Sequence, residues 1–447
     1  MAKKETITIL GTGYVGLPLA ALLAESGYTV FAIDPNKSRL QAVMEGRSFF
    51  YEAGLDPLVA SAIKSKQLIP TDSYELAVPK SSFVFSCVGT PDNPDGSSNL
   101  EYVLAAAKES ARYMPADAIY IQKSTVPVGT GDQINKLFGG KFSYVSNPEF
   151  LREGTAVADS LWPDRVVVGS NNPKSAEKVL ALYRVINDHH QAIAKKAGVK
   201  PLSGMKAEEI ITSQNSAELI KVASNAFLAL KISFANSIAK LADQTDADVN
   251  EIMDGVGSDK RIGRAFFNAG RGYGGGCFPK DVSGLISSAQ QYGVDLEIMR
   301  AVTEVNESMP GYIANKAKSV MGGLEKHQVT VLGLAFKAGT SDVRRSPGVR
   351  LANSLHRDGA KVKVFDPQAN GEAEEELQRG IEICRSMEEA LEDSDAVFVA
   401  TDWPEFIGYN LSQLAKKMSG KLLIDCVNAY DPSKVRAAKL DYIGVGR

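Results

Sequence analysis

The chain has 447 residues, 44% of them hydrophobic and 23% charged, with a formal net charge of −3. That length is too great for one ordinary hydrophobic core, so two or three domains are expected. A balance so near neutral argues against nucleic acid or an anionic membrane as the main partner, and the composition is that of a globular protein.

In chain order, "MAKKETITIL" carries lysines but no apolar signal core before the first strand-like run. No apolar stretch approaches the ~20 residues that span a bilayer, so the expectation is a cytoplasmic protein with no membrane partner. "TITIL" (6–10), "TVFAID" (29–34), "FVFSCVG" (83–89), "AIYIQKS" (118–124), "FSYVSNPE" (142–149) and "RVVVGS" (165–170) read as buried strands separated by helices. Such apolar strands predict a doubly wound α/β domain with a parallel sheet, reaching to about residue 200.

Its first turn, "GTGYVG", holds Gly11, Gly13 and Gly16 between a strand and a helix. Gly11 permits the tight turn, Gly13 lets a pyrophosphate approach the backbone, and Gly16 lets helix and strand pack closely. Asp34 ends the next strand 23 residues after Gly11, where a carboxylate takes ribose hydroxyls and repels a 2′-phosphate. The expected cofactor is NAD. Further along, "QKSTVPVGT" puts Ser124 and Thr125 at one strand end, and "NPEFLREGTA" puts Glu149 and Glu153 after another. Strand ends are where ligands bind in such sheets.

From Ser216 the apolar spacing changes to three and four, which predicts a helix to Asp243 with Ser216 as N-cap and Glu218 in the first turn. It would be ~40 Å long. Lys221 and Asn225 lie four apart on one face, as a cation and an amide donor for a developing oxyanion or as part of a solvated stripe.

"RGYGGGCFPKD" (271–281) follows. Cys87 and Cys426 lie in strand runs and Cys384 near a helix start, whereas glycines leave the approach to Cys277 open. Four cysteines are too few for a disulfide framework and fit a reducing compartment. A helix starting near Cys277 would bring Lys280 and Asp281 beside it. The spacing leaves two readings open, a nucleophile or a passive cysteine in a glycine turn. A second strand series, "QVTVLGLAF" (328–336), "KVKVFDP" (361–367), "AVFVATD" (396–402) and "KLLIDCV" (421–427), predicts a smaller doubly wound domain. Its first turn supplies Lys337, Arg344 and Arg345, for a phosphate or as a solvated basic loop. A thiol beside NAD suits aldehyde-level oxidation.

Taken together, "GTGYVG", "KSTVPVGT", "NPEFLREG", "ELIKVASNAFLALKISF", "DKRIGRAFFNAGRGYGGGCFPKD", "LGLAFKAGTSDVR" and "ATDWPEF" resemble the UDP-glucose/GDP-mannose dehydrogenase family over nearly the whole chain. The resemblance implies two Rossmann-like domains joined by a long central helix. Residues 1–200 would bind NAD, 201–310 would form a helical dimerisation region carrying the thiol, and 311–447 would bind a UDP-sugar. It implies two successive oxidations at C6 of the sugar, UDP-glucose to UDP-glucuronate, with no metal. Cys277 matches the nucleophile, Lys221 and Asn225 the oxyanion stabilisers, Asp281 the organiser of water, and Glu149 with Thr125 the acid/base group. NAD matches fall on Gly11, Thr12, Gly13, Tyr14, Val15, Gly16, Asp34, Arg39, Thr90, Ser124, Glu153, Lys280 and Arg344. Substrate matches fall on Phe150, Leu151, Arg152, Lys221, Asn225, Phe266, Asn268, Tyr273, Gly274, Phe336 and Lys337, with Arg261 reaching the neighbouring site of a homodimer.

Two places depart from the family's pattern. Gly276 stands where serine is usual, and in "LIDCVNAYDP" Cys426 and Val427 replace a glycine and an arginine associated with nucleotide binding. "CFPKD" favours UDP-glucose; a UDP-N-acetylhexosamine, UDP-galactose or GDP-mannose is the alternative. A two-electron hydroxyacid-type dehydrogenase and a non-catalytic regulator binding NAD and a nucleotide sugar are the competing classes.

Overall fold

A computed structural model describes residues 5–201 and 207–447. The chain divides into two compact units, Met1–Ser224 and Asn225–Arg447.

The first unit is built on eight strands: β1 (Thr6–Leu10), β2 (Thr29–Ile33), β3 (Leu68–Thr71), β4 (Phe83–Ser86), β5 (Ile119–Gln122), β6 (Ser143–Ser146), β7 (Arg165–Gly169) and β8 (Glu208–Thr212). Their order is β3-β2-β1-β4-β5-β6-β7-β8. The sheet is not wholly parallel as expected: β7 runs antiparallel to β6, with Gly169 opposite Ser146. The connection between them holds only a six-residue helix, Ala156–Leu161, too short to carry the chain back along the sheet. The sequence reading missed β3 and β8. β3 contains Pro70 and β8 begins with two exposed glutamates, features that suit sheet edges and hide a strand from an apolar pattern. Strand order reverses between β1 and β4, so the loops after these two strands flank the switch point.

The second unit has β9 (Gln328–Leu332), β10 (Lys361–Phe365), β11 (Glu382–Ile383), β12 (Ala396–Val399), β13 (Leu422–Asp425) and β14 (Asp441–Ile443). All pair in parallel in the order β11-β10-β9-β12-β13-β14, with the switch between β9 and β12. The two sheets repeat one device. Asp34 after β2 accepts the N–H of Thr12, and Asp366 after β10 accepts those of Leu334 and Ala335.

The central helix is Gln214–Ala242, and the boundary between the units falls inside it. It begins two residues before the expected N-cap. Ser213 caps it, its hydroxyl accepting from the N–H of Ser216 at 3.2 Å. By length and composition this helix could cross a membrane, contrary to the expectation that no such stretch exists. Its Glu218, Lys221, Asn225, Lys231 and Asn236 are buried against protein, which is how a core helix distributes its polar groups.

Candidate functional site

The first unit forms a dinucleotide cradle. A Cβ on Gly11 would lie 2.7 Å from the Cys87 carbonyl oxygen, and one on Gly16 only 1.9 Å from that of Gly11. Those glycines are demanded by the fold. A Cβ on Gly13 would meet nothing within 4 Å, so that position faces open space of the kind a pyrophosphate needs. The helix Gly16–Glu25 starts from Val15 without a side-chain cap; the Leu17 N–H bonds the Gly13 carbonyl (3.1 Å) and Pro18 has none, so what the helix offers an anion is the positive end of its dipole at the turn. Asp34 is buried and holds the turn, accepting from the Thr12 N–H (2.9 Å), the Thr12 hydroxyl (2.8 Å) and the Asn36 N–H (2.9 Å). The Arg39 guanidinium stacks over Phe49 and lies 3.8 Å from Asp34, while Tyr14 packs on Phe50. Ser124 donates to the Val88 carbonyl at 2.6 Å, and Thr90 follows β4. These residues fit NAD.

The same unit holds a buried carboxylate–ammonium pair. Glu149 accepts from the Leu151 N–H at 2.6 Å and faces the Lys221 ammonium at 3.1 Å. Burial pushes the Glu149 carboxyl up, but Lys221, the Leu151 N–H and Lys123 outweigh it, so it sits below the usual range. Arg165 and Lys221 lie over the Phe150 ring, 3.9 Å and 5.4 Å from its centre. A cavity of about 190 Å³ adjoins Glu149, Phe150, Leu151 and Arg152. Arg152 is tied to Asp159, and Thr125 is half-buried just after β5.

Two carboxylates that the sequence did not mark as site-builders hold these loops. Glu52 accepts from the N–H groups of Gly154 (2.9 Å) and Ala156 (2.7 Å), fixing the loop that carries Arg152 and Glu153. Glu218, expected to serve its own helix, instead accepts from Gly129 and Gly131 N–H (both 2.8 Å) and the Tyr144 hydroxyl (3.2 Å). It caps the helix Thr130–Phe138, whose N-cap Gly129 has no side chain to do so. Burial raises both carboxyls to about 7. Their signal in sequence is only an acid in an apolar context, with nothing to name the partner.

The second unit holds the thiol. Cys277 is the N-cap of the helix Phe278–Gln291, as expected, and is half-buried where the helix dipole favours negative charge. The other three cysteines are sealed in the core. Burial pushes Cys87 up to about 12, Cys384 up to about 11, and Cys426 higher still. Asp281, on the first turn after Cys277, is 3% exposed and accepts from Asn225 Nδ2 (2.6 Å) and Lys280 Nζ (2.8 Å).

The glycines before the thiol do not open a channel to it. A Cβ on Gly274 would lie 2.5 Å from the Arg345 carbonyl oxygen, one on Gly275 3.0 Å from the Phe336 ring, and one on Gly276 2.5 Å from the Arg344 guanidinium. The missing side chains make room for the 336–347 loop, which brings Phe336, Lys337 and Arg344 to this segment. Arg344 is gripped by Asp342, which accepts from its Nε (2.8 Å), its Nη2 (2.7 Å) and its backbone N–H (3.0 Å), and Lys337 lies over the Phe336 ring. Tyr273 is buried and clamped by Asn306 through both its N–H (2.7 Å) and its carbonyl (3.0 Å). Phe266 and Asn268 are exposed, Phe266 near Phe278 and Asn268 bonded to Arg264. The Arg261 side chain is 89% exposed, touching Asp259. Glu149, Thr125 and Lys221 thus belong to the first unit, and Cys277, Asn225 and Asp281 to the second, with Lys221 and Asn225 one turn apart on the central helix.

Residues 5–187, 215–308 and 330–432 match, respectively, the NAD binding, central and UDP binding domains of the UDP-glucose/GDP-mannose dehydrogenase family. The chain is 36% identical to UDP-glucose 6-dehydrogenase YwqF of Bacillus subtilis strain 168, covering 99% of this chain and 97% of the relative. A UDP-glucose dehydrogenase structure from Pyrobaculum islandicum superposes with a TM-score of 0.88 at 37% identity, covering 100% of this chain and 98% of that one. A UDP-D-ManNAc dehydrogenase structure from Pyrococcus horikoshii follows at 0.84 and 28%, covering 99% of each.

Proposed function

The chain belongs to the UDP-glucose/GDP-mannose dehydrogenase family, and on that premise we propose that it oxidises UDP-glucose at C6 to UDP-glucuronate in two steps through Cys277. The observation that carries this reading is the thiol's position. Of four cysteines it alone escapes the core, and it does so at a helix N-cap beside a buried aspartate. NAD, when bound, supplies the acceptor for the hydride that each oxidation removes. Residues 1–200 are assigned to NAD, 201–310 to the thiol and dimerisation, and 311–447 to the UDP-sugar. The cofactor is held by Gly11 to Gly16, Asp34, Arg39, Thr90, Ser124, Glu153, Lys280 and Arg344.

In this reading the Cys277 thiolate adds to the aldehyde carbon and forms a thiohemiacetal, so the aldehyde never leaves. Lys221 and Asn225 steady the negative charge on the sugar oxygen. Loss of the second hydride leaves a thioester. Glu149, ionised beside Lys221, takes a proton from the water that cleaves it, aided by Thr125, and the sulfur departs as thiolate. Asp281 orients Asn225 and Lys280. Phe150, Leu151, Arg152, Phe266, Asn268, Tyr273, Gly274, Phe336 and Lys337 hold the UDP-sugar.

The proposal includes a cytoplasmic homodimer. Phe227, Phe234 and Leu241 are 59%, 45% and 61% exposed at seven-residue spacing along the central helix, an apolar stripe suited to a second copy, with exposed Arg261 reaching the neighbouring site. Val427 and the likeness to a UDP-D-ManNAc dehydrogenase support a second reading, the same chemistry on a UDP-N-acetylhexosamine. The test counts NADH formed per sugar consumed for UDP-glucose, UDP-galactose, UDP-N-acetylhexosamines and GDP-mannose. Two NADH from UDP-glucose are expected. Cys277→Ser should form no acid yet bind NAD normally; UDP-glucuronate appearing at the wild-type rate in that variant would reject the thiol's role.

A further inference from the structure

Arg271 is buried, and among the described residues no carboxylate forms an ion pair or hydrogen bond with its guanidinium. It is 5% exposed, and among the described residues neither its Nε nor its Nη1 meets an acceptor. Its backbone N–H donates to the Cys426 carbonyl (2.8 Å), and its Nη2 to the Phe336 carbonyl (2.9 Å) and the Thr401 hydroxyl (3.3 Å). Burial lowers its pKa to about 10, which leaves it charged at neutral pH. Asp402 and Asp366 are close enough to attract it, but neither is hydrogen-bonded to it, and Asp366 Oδ2 is already taken by the Leu334 and Ala335 N–H groups and the Trp403 indole. A buried, half-bonded guanidinium is costly to a fold and points to a missing acceptor.

Its place names that acceptor. Phe336 lies in the turn after β9, Thr401 after β12 and Cys426 after β13. The guanidinium therefore sits at the carboxyl ends of these strands, at the switch point of the second sheet, where open α/β sheets take their ligands. Segment 270–271 also runs beside Val427, since a Cβ on Gly270 would lie 3.3 Å from its Cα. Val427 is the position that departs from arginine.

We propose that Arg271 binds the nucleotide, its unengaged N–H groups taking acceptor oxygens of the nucleoside diphosphate. The guanidinium is supplied from the glycine-rich segment instead of from position 427. This rests on the reading that the substrate is a UDP-sugar and adds to it a residue that binds the nucleotide.

The experiment titrates UDP and, separately, NAD into the full-length protein and its variants by calorimetry, and records melting temperatures without ligand. Arg271→Met should weaken UDP binding about 10- to 100-fold, the effect of losing a charged hydrogen-bonding group. NAD affinity should not change. The ligand-free melting temperature should hold or rise, because an apolar side chain of similar size replaces an unpaired buried charge. The exchange Arg271→Val with Val427→Arg should restore most of the lost affinity. If the Met variant does not fold, Arg271→Lys keeps the charge without the planar fork and should still bind UDP more weakly. UDP affinity equal to wild type in either folded variant overturns the assignment and leaves the functional reading standing. Wild-type protein that binds no UDP overturns both.

Discussion

Nζ of Lys221 stands 3.1 Å from Oε1 of Glu149, and the two side chains are 4% and 8% exposed. Each makes the other's burial tolerable, and the pairing keeps Glu149 ionised. Lys221→Met should therefore cost about 3–5 kcal/mol of stability and lift the Glu149 pKa. The depressed carboxyl adds stability above its unfolded pKa, lost as pH falls through the lower folded value, and this acid sensitivity should vanish in the variant. Chemical denaturation from pH 3 to 8 reads this. Adding Glu149→Gln should recover stability but not turnover. In Lys221→Ala, kcat should fall far more than substrate affinity; a change confined to KM would make Lys221 a binding group.

The glycine cradle separates fold from ligand. Gly16→Ala should destabilise by about 3 kcal/mol or more, because its Cβ would enter the Gly11 carbonyl. Gly13→Ala, whose Cβ meets only open space, should melt like wild type yet bind NAD at least about tenfold more weakly. Unchanged NAD affinity in Gly13→Ala would remove the pyrophosphate from that position.

A second pair probes the segment before the thiol. Gly274→Ala should cost about 1–3 kcal/mol, since backbone at Arg345 stands in the way. Gly276→Ala meets the Arg344 guanidinium, the far end of a flexible side chain but one held by Asp342, so it should cost less than Gly274→Ala, about 1 kcal/mol or under. Equal losses at the two sites would show that the Arg344 guanidinium is locked.

Glu218 should make stability fall with rising pH. Its folded pKa of about 7 exceeds the ordinary 4.5, so its contribution is full below pH 4.5 and lost as pH climbs through 7. Glu218→Gln removes the charge but sets an amide NH2 against one of the two backbone N–H groups, so it should be less stable than wild type at pH 4 and make up to about 3 kcal/mol of that difference good by pH 8. A pH-independent difference between the two proteins would mean that Glu218 stays ionised throughout.

What could be read from the chain alone was whatever depends on near neighbours. Gly11, Gly13, Gly16 and Asp34 lie within one strand–helix–strand passage, the period of the central helix puts Lys221 and Asn225 on one face, and a proline two residues beyond Cys277 announces a helix start. Backbone sterics and helical repeat act over a few residues, so residue order suffices there. Long-range placement was not legible. Glu52 crosses 102 residues to hold Gly154, Glu218 crosses 89 to Gly129, and β7 turns against β6. The triple glycine shows the difference best. Sequence marks the side chains as missing, but only packing reveals that the 336–347 loop fills their space and that Arg271 is left short of acceptors. Burial is a property of everything folded around a group, and that is decided by contacts between segments far apart in the chain.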